Sequence, residues 1–256
     1  MIRKAEFDPF ARNEYPTSDG RPMAETDTHR LLMTSLIETL SIYYSADPNV
    51  YVSGNLLLFY EPDDKRRHLS PDCFVVKGVP AGTRPNYLMW EEGKGPDVVF
   101  ELTSKTTRSE DTDKKFEMYR DVFGVSEYFL FDPLEEYLTP SMQGYRRVGT
   151  EFRPIEMAGE RLPSEVLGLH LERADEQLRL WNPATRTWLP TQAELTASEA
   201  AARRRAEVRE RAEAAARAEA EARARVEVAA RQRVEAELDQ LRRELDALRR
   251  GRDQGS

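Results

Sequence analysis

From Glu194 to Arg250 the chain contains no Pro and no Gly, and little besides Ala, Glu and Arg. These are strong helix formers, and a stretch without a breaker reads as one continuous helix. At 1.5 Å per residue it would run about 85 Å. Any globular core must therefore come from the residues before Thr191. The expected organisation is a head over residues 1–190 and a long helix over residues 191–256. A heptad frame with a at Leu238 and Leu245 puts d at Val234, Leu241 and Leu248, which is a coiled-coil seam. Upstream the same frame meets Arg231, Glu227, Arg217 and Glu213, and the seam stops. That part reads as an Ala-rich helix supported by Glu–Arg pairs four residues apart. A solvated tail and an oligomerising tail both fit this composition.

The head alternates helix and strand signals. Thr26 to Tyr44 reads as a helix, capped by Thr26 or Asp27, with Met33, Leu36, Ile37, Leu40 and Tyr44 on its apolar face. Residues 50–62 (VYVSGNLLLFYEP) read as a strand or bulged hairpin. Residues 69–76 (LSPDCFVV) read as a strand starting near Asp72, and residues 97–103 as a buried strand. Asp111 to Phe123 reads as a helix ended by Gly124. Residues 126–133 (SEYFLFDP) give another buried strand, stopped by Asp132-Pro133. Strand, helix, strand in that order is a crossover unit, which favours parallel pairing. GYRRVGTEFRPIE and LRLWNPATRTWLP read as hairpins. The fold class is α/β with a mixed sheet.

Composition excludes several classes. The chain has 39% hydrophobic and 33% charged residues and a net charge of −8. Residues 1–190 hold 23 basic and 32 acidic side chains, which argues against strong non-specific nucleic-acid binding by the head. Three His and one Cys make a zinc site of the usual ligand types improbable. The single Cys73 forms no internal disulfide, which fits a reducing, cytoplasmic setting. The N-terminus (MIRKAEFDPF) lacks the apolar core of a secretory signal, and no apolar run approaches the length of a membrane span.

One acid stands out. In GPDVVFELTSK, residues 95–105, Glu101 interrupts an apolar strand, and a buried carboxylate is costly unless it is paired. By strand parity Glu101 shares a face with Asp97, Val99 and Thr103, and Val98, Phe100 and Leu102 lie on the other. If the strand beginning at Asp72 pairs with this one, the two carboxylates converge. Close carboxylates repel, so one binds a proton or a cation sits between them. Hard oxygen donors suit Mg²⁺, which keeps several waters and binds phosphate.

Pro71-Asp72 followed by a strand carrying Glu resembles the PD-(D/E)xK nuclease superfamily. SPDCFVV, the long segment GPDVVFELTSKTTRSEDTDKKFEMYRDVFGVSEYFLFDP, LPSEVLGLHL and LWNPATRTWL together resemble the Uma-two family of restriction-endonuclease-like proteins, over most of residues 20–190. The resemblance implies a restriction-endonuclease-like mixed sheet flanked by helices and a Mg²⁺-dependent endonuclease acting on DNA, with Mn²⁺ as a substitute. It implies Asp72 and Glu101 as metal ligands, with the Leu102 carbonyl as a further one. The superfamily places Lys two residues after the acid, and here that slot is Thr103. The resemblance then implies that the lysine has moved to the next helix, where DKKFEMY gives Lys115 with Tyr119 four residues on. Lys114, about 100° away round the helix, and Lys105 are the other candidates. Members of the family are expected to dimerise.

Several residues have plainer readings beside these. Glu101 could be a structural acid paired with Lys115 or Arg120, Asp72 could merely end a turn after Pro71, and Lys115 could be an ordinary solvated helix lysine. Glu38 could be an additional acid or a surface glutamate. Arg66, Arg67 and His68 could touch phosphate or lie on an ordinary loop. Lys105, Arg108, Lys114 and Arg120 could contact backbone phosphates. His29 reads as structural, Asp97 and Asp132 as turn caps, and Trp181 and Trp188 as a packed cross-strand pair. The alternative to an enzyme is a nuclease fold that has lost activity and works as an interaction module through its C-terminal helix.

Overall fold

The computed structural model describes residues 15–18, 26–104 and 107–253, with the side chains of the last helix described as far as Glu244. Two compact units part between Glu194 and Leu195.

The first unit is built on a six-stranded sheet. Its strands are β1 (Val50–Ser53), β4 (Cys73–Lys77), β6 (Val98–Leu102), β7 (Glu127–Phe131), β8 (Met142–Val148) and β9 (Glu151–Pro154), in that spatial order. β6 and β7 pair in parallel; the other neighbours are antiparallel. The parallel pair is the crossover unit expected from the sequence. The sheet is therefore mixed, and the fold class is α/β.

Both faces of the sheet are covered. Val98, Phe100 and Leu102 of β6 join a core with Met33, Leu36 and Leu40 of α1 (Asp27–Tyr43) and with Leu162, Leu169, Leu171 and Leu180. The last four come from a four-stranded antiparallel sheet of β10 (Arg161–Ser164), β11 (Leu169–Ala174), β12 (Gln177–Asn182) and β13 (Thr187–Trp188). Val99 lies on the opposite face with Tyr119, Tyr128, Phe74 and Val125. α1 starts where the sequence indicates, with the Thr26 hydroxyl accepting from the His29 amide at 3.2 Å. Trp181 and Trp188 pair across β12 and β13 with their rings 5.0 Å apart.

Residues 50–62 depart from the single strand or hairpin expected of them. β1 ends at Ser53, and β2 (Leu58–Phe59) joins a separate three-stranded sheet with β3 (His68–Leu69) and β5 (Tyr87–Leu88). Gly54 marks the change. A Cβ there would sit 2.0 Å from the Asp72 carbonyl oxygen, so only Gly lets the two backbones approach. The Asn55 amide then donates to the Pro71 carbonyl at 2.8 Å. The close crossing holds the segment before β4 in place, and Asp72 with it.

The long helix, Gln192–Asp253, is continuous. Its first turn carries a capping box. The Glu194 amide donates to the Thr191 hydroxyl at 3.2 Å, and the Thr191 amide donates to the Glu194 carboxylate at 2.8 Å. Further along, Arg223, Arg225 and Arg231 pair with the Glu four residues before each. Among the described residues, no helix is long and apolar enough to cross a membrane.

Candidate active site

β6 delivers Glu101. Its burial is complete along the strand, and the Glu101 side chain is 0% exposed. β4 and β6 run antiparallel, with Cys73 opposite Phe100 and Phe74 opposite Val99. Carrying this register one residue further sets Asp72 across from Glu101. The ladder stops there, and the Asp72 side chain takes over its last bond, Oδ2 accepting from the Leu102 amide at 2.6 Å.

The segment after β6 supplies the rest. A π-helical turn, Glu110–Lys114, leads into α2 (Lys115–Asp121). Single π-turns inside helices recur at functional sites. Asp111, Lys115 and Tyr119 follow at intervals of four, on one side of this helical run. The Lys115 ammonium lies 3.0 Å from Glu101 Oε2 and 3.0 Å from Asp111 Oδ1. The Tyr119 hydroxyl donates to Glu101 Oε1 at 2.6 Å. From β7, the Tyr128 hydroxyl donates to the Asp111 carbonyl at 2.9 Å and anchors the turn. From α1, His29 Nε2 lies 3.0 Å from Asp72 Oδ1.

Two carboxylates, Glu101 and Asp111, thus share one ammonium in a nearly closed space, and Asp72, paired with His29, adds its charge from further off. Burial pushes the Glu101 carboxyl well above the usual range; Lys115 pulls it back, and the charges of Asp72 and Asp111 add to the rise. Asp111 is also raised by burial, against the pull of Lys115 and Thr107. Burial alone would lower Lys115, but Glu101, Asp111 and Asp72 outweigh it and hold the ammonium above its ordinary value. Lys115 is therefore a fixed cation.

Glu127 shows what a purely structural buried acid looks like in the same sheet. It is fully buried and saturated, accepting from Arg146, from the Ser164 hydroxyl and from the Glu165 amide. Glu101 differs. Beyond the ion pair with Lys115, its Oε2 is buried without a hydrogen-bond partner, as is Thr103 Oγ1. A hard-oxygen acceptor with capacity left in a closed polar pocket is the donor chemistry that Mg²⁺ takes, and Mg²⁺ is typically held by one or two carboxylates plus waters. Glu101 has that capacity, as do both oxygens of Asp111; Asp72, across the strand pair from Glu101, already accepts from the Leu102 amide at Oδ2 and lies against His29 at Oδ1. Among the described residues, no group of three His, Cys, Asp or Glu forms a ready cage, so water would complete the shell.

The structure brings Asp72, Glu101 and Lys115 to one place. Lys114 is exposed and Thr103 is buried beside Glu101. Lys105 lies outside the described residues. Arg120 turns to Asp121 and Glu151 and does not pair with Glu101. Glu38 is exposed. Arg66 and Arg67 are engaged by Asp64 and Glu61, and His68 by the Lys65 carbonyl. Asp97 caps the Lys77 amide and pairs with Lys94. Asp132 accepts from the Leu134 and Leu138 amides. Two site residues escaped the sequence reading. His29, structural by its sequence position, reaches Asp72, and Asp111 reads in the sequence only as a helix start. The polar spacing Asp111, Lys115, Tyr119 was the available signal for the second.

The family model Uma2, described as "Putative restriction endonuclease", matches residues 5–180. Among solved structures, a putative nuclease belonging to DUF820 from Anabaena variabilis is similar at a TM-score of 0.41 and 16% identity, covering 59% of this chain and 80% of that one. No curated protein matches.

Proposed function

The chain belongs to the Uma2 family of putative restriction endonucleases, and from that premise we propose that it is a divalent-metal-dependent DNA endonuclease. The observation that carries the reading is the incompletely satisfied Glu101 carboxylate, paired with a fixed cation and set across from Asp72. Asp72 and Glu101 would hold Mg²⁺ or Mn²⁺, with the Leu102 carbonyl as a further ligand. When bound, the ion supplies Lewis-acid polarisation of a phosphoryl oxygen and acidifies a water.

The chain's own groups set the rest. Tyr119 fixes the Glu101 rotamer through its hydroxyl. The Leu102 amide and His29 fix both oxygens of Asp72. Lys115, held protonated by the acids around it, acts as a cation beside the scissile phosphate and stabilises charge there; it is not a proton acceptor. Asp111 orients Lys115. Arg108 and Lys114 are exposed on the same segment and would contact backbone phosphates.

A second reading rests on Thr103. It occupies the in-strand lysine slot, and the acidic head offers little general attraction for DNA. On that reading the fold is inactive and serves as an interaction module. Calorimetric titration of the metal-free protein with Mn²⁺ separates the two at the level of binding. The nuclease reading expects one saturable site that Asp72→Asn and Glu101→Gln each weaken by at least about tenfold. No binding to the wild type would sink it.

A further inference from the structure

We propose that the distal part of the long helix pairs with the same segment of a second copy of this chain, in parallel and in register. The inference stands apart from the nuclease reading and uses only the second unit.

Three seam residues are large, apolar and about half exposed: Val234 at 56%, Leu238 at 49% and Leu241 at 56%. In sequence the pattern continues at Leu245 and Leu248. Spacings of four, three, four and three keep these five positions on one stripe of a supercoiled helix. An unpartnered apolar stripe of this kind does not by itself name its occupant. The flanking charges do.

In this frame g positions are Glu237 and Glu244, and e positions are Glu235, Arg242 and Arg249; in register Glu235 faces only Ala230. In a parallel, in-register pair each g residue faces the e residue five places later on the other helix. Glu237 then meets Arg242, and Glu244 meets Arg249, on both sides of the seam. In an antiparallel pair g faces g, and Glu237 meets Glu244 as like charges. Shifting the parallel pair by one heptad keeps two of the four attractive pairs, sets Glu237 against Glu235 and loses seam layers. The charges therefore select a second copy, its direction and its register, which is the role e and g residues play in coiled coils. Upstream, Arg231 and Glu227 occupy seam positions, so the contact ends near Val234. So short a seam makes assembly dependent on concentration.

The test uses the full chain with Cys73, which is buried, left in place. Val234→Cys and Leu248→Cys mark the two ends of the seam. Under mild oxidation each variant alone is expected to form a cross-linked dimer, as the wild type and the outward-facing control Arg243→Cys are not. An antiparallel pair would separate like ends and instead cross-link the two variants to each other when mixed. Light scattering is the second arm. Glu237→Arg with Glu244→Arg should lower the mass at a given concentration, and adding Arg242→Glu with Arg249→Glu should restore it. Cross-linking only in the mixed sample, cross-linking no greater than in the control, or a mass unaffected by the charge reversal would each overturn the proposal.

Discussion

At the scale of single residues, the site is a charge imbalance held in a closed space. Glu101 and Asp111 face one ammonium, with the Asp72 charge nearby. Glu101→Gln removes one negative charge and keeps an oxygen for Lys115 and a partner for the Tyr119 hydroxyl. The metal-free variant is therefore expected to melt higher, by about 2–4 °C for each 1 kcal/mol recovered. The pH dependence has a definite sign. The Glu101 carboxyl is raised in the folded state, so between its unfolded value, about 4.3, and its folded value the native protein binds more protons. Stability from this group is greatest at the acid side of that window and falls as pH rises through it. The melting difference between Glu101→Gln and wild type should widen from pH 5 to pH 8, and a constant difference would contradict it. Asp111→Asn should lower cleavage by about 10- to 100-fold while weakening Mn²⁺ binding less than Glu101→Gln does, since Asp111 acts through Lys115. The positions of Asp72, Glu101 and Lys115 were legible because strand parity and the four-residue spacing from Lys115 to Tyr119 are local patterns. His29 and Asp111 were not, because a His or an acid near a helix start has an ordinary local explanation and only tertiary packing gives it another.

At the scale of elements, the site depends on where two backbones cross. Gly54 leaves the large sheet by passing against the Asp72 carbonyl, where a Cβ would fall at 2.0 Å. Gly54→Ala must push the Pro71–Asp72 segment away. Urea unfolding should show a loss of about 1–3 kcal/mol, and DNA cleavage should fall with it because the Asp72 carboxylate moves; an unchanged midpoint would mean that the crossing relaxes freely. The strand–helix–strand crossover could be read from apolar runs and a stop at Gly124. The change of sheet at residue 54 could not, because Ser53-Gly54-Asn55 between two apolar runs fits an ordinary hairpin turn and the contact that redirects the chain comes from residue 72. The π-turn at Glu110–Lys114 was hidden for a similar reason: its polar sequence fits an ordinary first helical turn.

At the scale of the whole molecule, composition alone announced the long helix, since nothing in it can stop a helix or build a core. Removing residues 195–256 while keeping Thr191 and Glu194 preserves the capping box and the Arg179–Glu194 pair. The truncated head should remain soluble and unfold cooperatively, and an insoluble product would show that the head needs the second unit. The central claim concerns chemistry in the head, and one measurement addresses it most directly: supercoiled plasmid incubated with purified protein in Mg²⁺, Mn²⁺ or EDTA, beside Glu101→Gln. The account predicts nicking or linearisation with either metal by the wild type, none in EDTA and none by the variant. Equal cleavage by wild type and variant, or no cleavage by the wild type with either ion, would contradict it.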